Sequence, residues 1–327
     1  MIRFATLAAT AALLALPATA QTVTMRVSHQ VPPAHHMAKM VEGFAAEVKQ
    51  KSAGQIDVQI FAAEQAFKAQ ENFPAVAKGS FEAALAVNFQ WGNTIPEMNF
   101  SVVPYFFTDL EKIKRFPGSE AAKLLEAKLA QKGVRNLAWL YITRQSIFTS
   151  GKKPLTTLED FKGLKIRGLN KLADTAFVAI GAAPSAMPGS EVYQGLQSGV
   201  LDAGLTDLSA AYSRKYFEVQ KYGTVAPYFS VYFHMYVNPA WWGKLSAEHK
   251  AILETAARNA EAGAIPLTEK TAEDAIVQLK EKGMVLHMQS AAEARTWAAA
   301  MQKPVLDEFL KAAPTDGPKL IELMGKL

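Results

Sequence analysis

The sequence predicts an α/β protein of two lobes with a cleft between them. Strand and helix patterns alternate from residue 23 and again from residue 134, the mark of layered α/β units. The chain has 327 residues, 50% of them apolar, which exceeds the roughly 250–300 that one core usually supports. A long Ala-rich helical pattern follows the second unit and differs from both in texture.

The opening "MIRFATLAATAALLALPATA" has one early charge, Arg3, an apolar run, and Ala18-Thr19-Ala20 before Gln21. That order reads as a secretory signal peptide over 1–20, with a mature chain from Gln21 exported to an oxidising compartment. No later apolar run reaches the roughly 18 residues a spanning helix needs. There is no cysteine, so disulfides, thiol catalysis and cysteine metal sites are excluded, and stability rests on the core. The formal charge of +5 is spread through amphipathic segments without a basic cluster, which argues against a nucleic-acid partner.

In the first unit "VTMRVSH" (23–29) alternates as a strand. Met37, Met40, Val41, Phe44 and Val48 recur at helical spacing, with Gly54 as the stop. "QIDVQIF" (55–61) is a strand, a helical stretch runs to Gly79, and "FEAALAV" (81–87) is a buried strand. The second unit starts with "VRNLAWLY" (134–141), "SIFTS" and the turn "GKKP". The short helix "TLEDF", the strand "LKIRG" and the helix "KLADTAFVAIG" follow. A strand at 183–187, the helix "SEVYQGLQSG" and the strand "LDAGLTD" complete it. "FSVYFHMYVN" (229–238) is an aromatic strand, and 246 to about 283 forms a helix capped by Ser246 and kinked or divided at Pro266.

Catalytic motifs are absent: in "GLQSG" the serine stands one place late for a nucleophile elbow, "SGKK" lacks the glycine and hydroxyl of a P-loop, and there is no H-E-x-x-H. His29, His35 and His36 have no cysteine or obvious carboxylate to complete a zinc set, and read as a loop opening the first helix; no metal or cofactor is expected. Glu159, Asp160 and Glu191 stand where acidic residues favour a helix start. Asp202 and Asp207 flank a strand, where a turn or cap role is the commoner use. In "FKGLKIRGLN", Arg167 ends a short strand: it is either a solvated charge or a cation aimed into a cleft.

The run "KKPLTTLEDFKGLKIRGLN", with "PGSEVYQGLQSGVLDAG" and "RKYFEVQKY", resembles the extracytoplasmic solute-binding proteins of TRAP transporters, the group typified by C4-dicarboxylate binders. The likeness covers nearly the whole mature chain and is most specific over 152–222. It implies a type II-like periplasmic binding protein fold: lobe I over 21–143 with 233–272 returning to it, lobe II over 144–232 with 273–327 returning to it. Strands crossing between the lobes and a long helix join them around the ligand cleft. It implies a non-enzymatic protein, a monomer, that captures an organic acid and delivers it to a small and a large membrane subunit.

The resemblance places Arg167 on the ligand carboxylate, for which a guanidinium is a planar bidentate match. By position it adds Asn88, Phe89, Gln90 and Trp91 after the third strand, and Gln65 and Phe67 after the second. The chain also departs from the family pattern. A second ligand arginine falls nearer Ser146, with Arg144 two residues earlier, either displaced or reaching the ligand from a shifted strand. "DAGLTDLS" replaces a "DGQENP"-like segment, leaving Thr206 near the usual asparagine with Asp207 beside it. With the aromatic residues Phe89, Trp91, Tyr212, Tyr232 and His234, these departures point to an aromatic or branched monocarboxylate, including a 2-oxo or 2-hydroxy acid. An exported enzyme or a sensory module on the same scaffold are the alternatives.

Overall fold

The computed structural model describes residues 22–327; the expected signal peptide lies outside them. The first unit folds as β1 (Val23–Ser28), α1 (His36–Lys51), β2 (Ile56–Phe61), α2 (Asn72–Ala77) and β3 (Ala83–Val87). β1 pairs in parallel with both β2 and β3, and α1 lays Met37, Val41, Phe44 and Val48 on the sheet, as their spacing requires. Gly54 adopts φ of 80° just past the end of α1, a conformation glycine takes without strain. α3 (Leu110–Arg115) and α4 (Glu120–Gln131), capped by Asp109 and Ser119, have no counterpart in the sequence reading and lead into β4 (Arg135–Thr143).

After only Arg144 and Gln145 the chain re-emerges as β5 (Ser146–Ser150), in a different sheet. The second unit continues with β6 (Lys165–Gly168), α5 (Thr175–Ala179), β7 (Ala183–Ala186), α6 (Val192–Gln197), β8 (Ala203–Asp207), α7 (Leu208–Ser213) and β9 (Tyr222–Ala226). β10 (Val231–Val237) then returns to the first sheet, pairing antiparallel with β3 and β4. The sheet orders are β2-β1-β3-β10-β4 and, with a later strand at its edge, β11-β9-β5-β8-β6-β7. Two short connections therefore cross between the sheets, β4 to β5 and β9 to β10, and the helices that follow β10 carry the chain across again to β11.

α8 (Pro239–Lys244) precedes α9 (Ala247–Glu281), whose Ser246 cap accepts from the His249 N–H as expected. At 1.5 Å per residue α9 is about 50 Å long and packs on α1, β4, α7 and β11 (Val285–Met288). Pro266 does not divide it. Flanking Ala264 and Thr268 are buried, and the Thr268 hydroxyl donates to the Tyr141 carbonyl, so tertiary contacts hold the turn that lost a backbone hydrogen bond. α10 (Ala291–Ala312) seats Trp297 on Phe148 and Phe161 of the second unit. α11 (Gly317–Gly325) packs on α4 of the first, and Lys128 of α4 pairs with Asp316. The segment beyond residue 290 thus rests on elements of both units, where the expectation placed 273–327 on the second alone. No helix among the described residues is long and apolar enough to cross a membrane.

Candidate ligand-binding site

A cavity of about 350 Å³ opens where the carboxyl ends of β3, β6, β7 and β8 and the loop after β1 face one another beside the crossing segments. This is where open α/β sheets place ligands, because strand ends expose backbone and side chains that no neighbouring strand covers.

Arg167 lies on β6, only 5% exposed, and lines the cavity. Its Nη1 donates to the Leu205 carbonyl at 2.6 Å and its Nε to the Met187 carbonyl at 3.1 Å. Those carbonyls belong to β8 and to the turn after β7, so the flanking strands aim the guanidinium. Among the described residues no carboxylate stands within 4.0 Å of it, whereas the half-buried Arg26 and Arg144 outside the cavity each have one. Burial lowers its pKa from the usual arginine value, partly offset by Tyr216, Asp207 and Asp174 nearby. An arginine remains protonated even so.

Gly168 is required for another reason than turning. A Cβ on it would lie 2.2 Å from the Asp174 carboxylate, which packs there and accepts from the Leu169 N–H. Asp174 and the helix it opens are thereby tied to the end of β6. Burial pushes the Asp174 carboxyl up to about 6, against the lowering effect of that hydrogen bond and of Arg167.

Asn170 donates to the Phe89 carbonyl (2.9 Å) and to Asn99 Oδ1 (2.6 Å), joining the second unit to the first across the cavity edge. The Ser190 hydroxyl donates to Glu64 (3.0 Å), a second link. His35 and His36 stack, and His36 contacts the hydroxyls of Ser209 (2.8 Å) and Thr268 (3.1 Å). Among the described residues no group of three or more His, Asp or Glu side chains converges as a metal site.

Of the residues expected at the site, Arg167, Phe89, Gln90, Thr206 and Asp207 line the cavity. Arg144 does not: Glu269 of α9 takes its Nε and Nη2, at 3.1 and 2.8 Å, and holds it at the crossing segment. Asn88 is spent on Met98, Ser101 and the Tyr232 N–H. Trp91 packs on Phe73 and Tyr236, and Phe67 on Phe81, while Gln65 is exposed. Tyr212 rests on Phe217. Tyr232 donates to the Ile113 carbonyl and His234 stacks on Trp139, both fully buried within the first unit. The cavity instead receives Val231 and Phe233, the residues alternating with them on β10. Asp160 caps a 3-10 turn through the Thr157 N–H and Asp202 accepts from the Lys165 N–H, both in structural roles.

The sequence reading also missed Arg214, a second cavity arginine with no carboxylate within 4.0 Å among the described residues. Its guanidinium lies over Gly189, where a Cβ would stand 2.3 Å from Nη1. Asp207 and Arg214 bracket α7 and are seven apart, two helical turns, a spacing that puts both on one face and could have signalled the pair. The expectation of an aromatic or branched monocarboxylate assumed one arginine with aromatic walls. Of the five aromatic residues that suggested it only Phe89 lines the cavity, where Phe229 and Phe233 join it, and there are two arginines.

A family model for bacterial extracellular solute-binding protein, family 7 (DctP), matches residues 27–312. The C4-dicarboxylate-binding periplasmic protein DctP of Rhodobacter capsulatus is 32% identical over 300 residues, 90% of this chain and 89% of its own. A TRAP periplasmic solute binding protein from Desulfovibrio salexigens, solved with bound orotic acid, superposes with a TM-score of 0.88 at 25% identity, covering 93% of this chain and 98% of that one. Another from Sulfurospirillum deleyianum, solved with bound succinate, gives a TM-score of 0.85 at 25% identity, covering 92% and 98%. With the two-sheet architecture and a cationic cavity where its strands end, the chain belongs to the bacterial extracellular solute-binding proteins of family 7, the solute-binding proteins of TRAP transporters.

Proposed function

We propose that this protein captures an organic acid in the cavity, with Arg167 gripping the carboxylate, and hands it to TRAP membrane subunits after export to the periplasm. The observation that carries the proposal is Arg167 itself: a buried guanidinium, aimed by two carbonyls, without a carboxylate in reach among the described residues. Burying a charge is costly unless a partner compensates it, and a ligand carboxylate is the partner that this geometry fits. The relatives solved with orotic acid and succinate bind acids, which supports the same reading. The proposed action is closure of two lobes about the crossing segments, with the bound acid favouring the closed arrangement through contacts that the open one lacks. The lobes are centred on the two sheets.

A thermal-shift screen of organic acids and their neutral amides tests this. A ligand at 100 times its Kd stabilises by about 2.7 kcal/mol, a readable shift. Acids that raise Tm while their amides do not are the expected result; amides that work equally well contradict carboxylate capture.

A further inference from the structure

Asp207 puts a negative charge into the cavity proposed to take acids. Its Oδ1 accepts from the Ala210 N–H at 2.8 Å and faces His35 Nε2 at 3.7 Å, but no donor reaches Oδ2 among the described residues. The side chain is 16% exposed and lines the same cavity as Arg167 and Arg214. Burial opposes its ionisation, yet the contact with His35, the neighbouring His36 and the Ala210 N–H outweigh burial and hold the carboxyl well below the usual range. At neutral pH it is an acceptor only.

A carboxylate confined beside a bound carboxylate repels it. The repulsion turns to attraction only where a donor hydrogen stands between the ligand and the free oxygen. Two guanidinia then balance two carboxylates, one from the ligand and one from the protein.

We infer that Asp207 determines specificity in this cavity: its free oxygen accepts from an O–H or N–H of the bound acid, so the ligands are acids that carry such a donor. The inference rests on acid capture by Arg167. Thr206 beside it, buried and lining the cavity, supplies a hydroxyl that can serve the oxygen of the same ligand group.

Asp207→Asn isolates the effect, because asparagine caps a helix as well as aspartate and keeps an acceptor for the Ala210 N–H while removing the charge. The experiment is calorimetry on both proteins with lactate against propionate, malate against succinate, and pyroglutamate against N-methylpyroglutamate. The expected result is that in at least one pair the donor-bearing acid binds the wild type tenfold or more tighter, and that Asp207→Asn reduces this ratio below threefold while its circular-dichroism spectrum stays that of the wild type. Equal affinity within every pair, or a ratio that survives in Asp207→Asn, overturns the inference while leaving acid capture standing. Failure of every acid, here and in the acid-against-amide screen, overturns both.

Discussion

Arg167 and Arg214 reach the cavity by different routes, and only one route is written locally. Arg167 ends a recognisable strand in a recognisable run. Arg214 sits among charges in "SRKYFEVQKY", and what holds it is Gly189, distant in sequence. Gly189→Ala introduces a Cβ into the space of a flexible guanidinium, so the fold tolerates it while Arg214 is displaced. The expected outcome is stability within about 0.5 kcal/mol of wild type and roughly tenfold weaker acid binding, about 1.4 kcal/mol, by denaturation and calorimetry. Unchanged affinity excludes Arg214 from the site. Parity explains another difference. On β10 the aromatic quality of Tyr232 and His234 is visible in sequence, but which face meets the cavity is set by pairing with β3 and β4, and that face belongs to Val231 and Phe233.

Elements were legible where periodicity was strong and illegible where tertiary contacts decide. β1, β3, β6, β8 and α9 follow their patterns, whereas the edge strand β11 is short and half exposed, and its pairing with β9 is fixed from outside it. The end of β6 shows how an element is secured for function. Asp174 fills the space left by Gly168, and its folded pKa of about 6 exceeds the ordinary 3.9 or so of an unfolded chain. The folded protein therefore binds the extra proton between about pH 4 and 6. The resulting stability is present below about pH 4 and is lost as pH rises through 6, by up to about 3 kcal/mol. Asp174→Asn keeps the acceptor for the Leu169 N–H without a charge. Urea unfolding is expected to find it about as stable as wild type at pH 4 and 1–3 kcal/mol more stable at pH 8. The same difference at both pH values contradicts the assignment.

At the scale of the molecule, two sheets, two crossing segments and a helix spanning both form a frame in which only a few polar contacts bridge the cavity edge. Asn170 and the Ser190–Glu64 pair are among them, beside the His36–Ser209 and His35–Asp207 contacts, and the proposed closure would make or break such links. The two-lobed class was readable because strand and helix alternate twice. The attachment of α11 to the first unit was not, since an amphipathic helix carries no mark of the surface it will cover. In the proposed function this frame holds the buried Arg167 guanidinium ready for a carboxylate. The most direct test is calorimetric titration of wild type and Arg167→Met with the acid that gives the largest thermal shift. Loss of a buried charge partner costs about 3–5 kcal/mol, so affinity is predicted to fall by roughly two to three and a half decades while the circular-dichroism spectrum stays that of the wild type. A folded Arg167→Met protein that binds the acid with wild-type affinity would contradict the account.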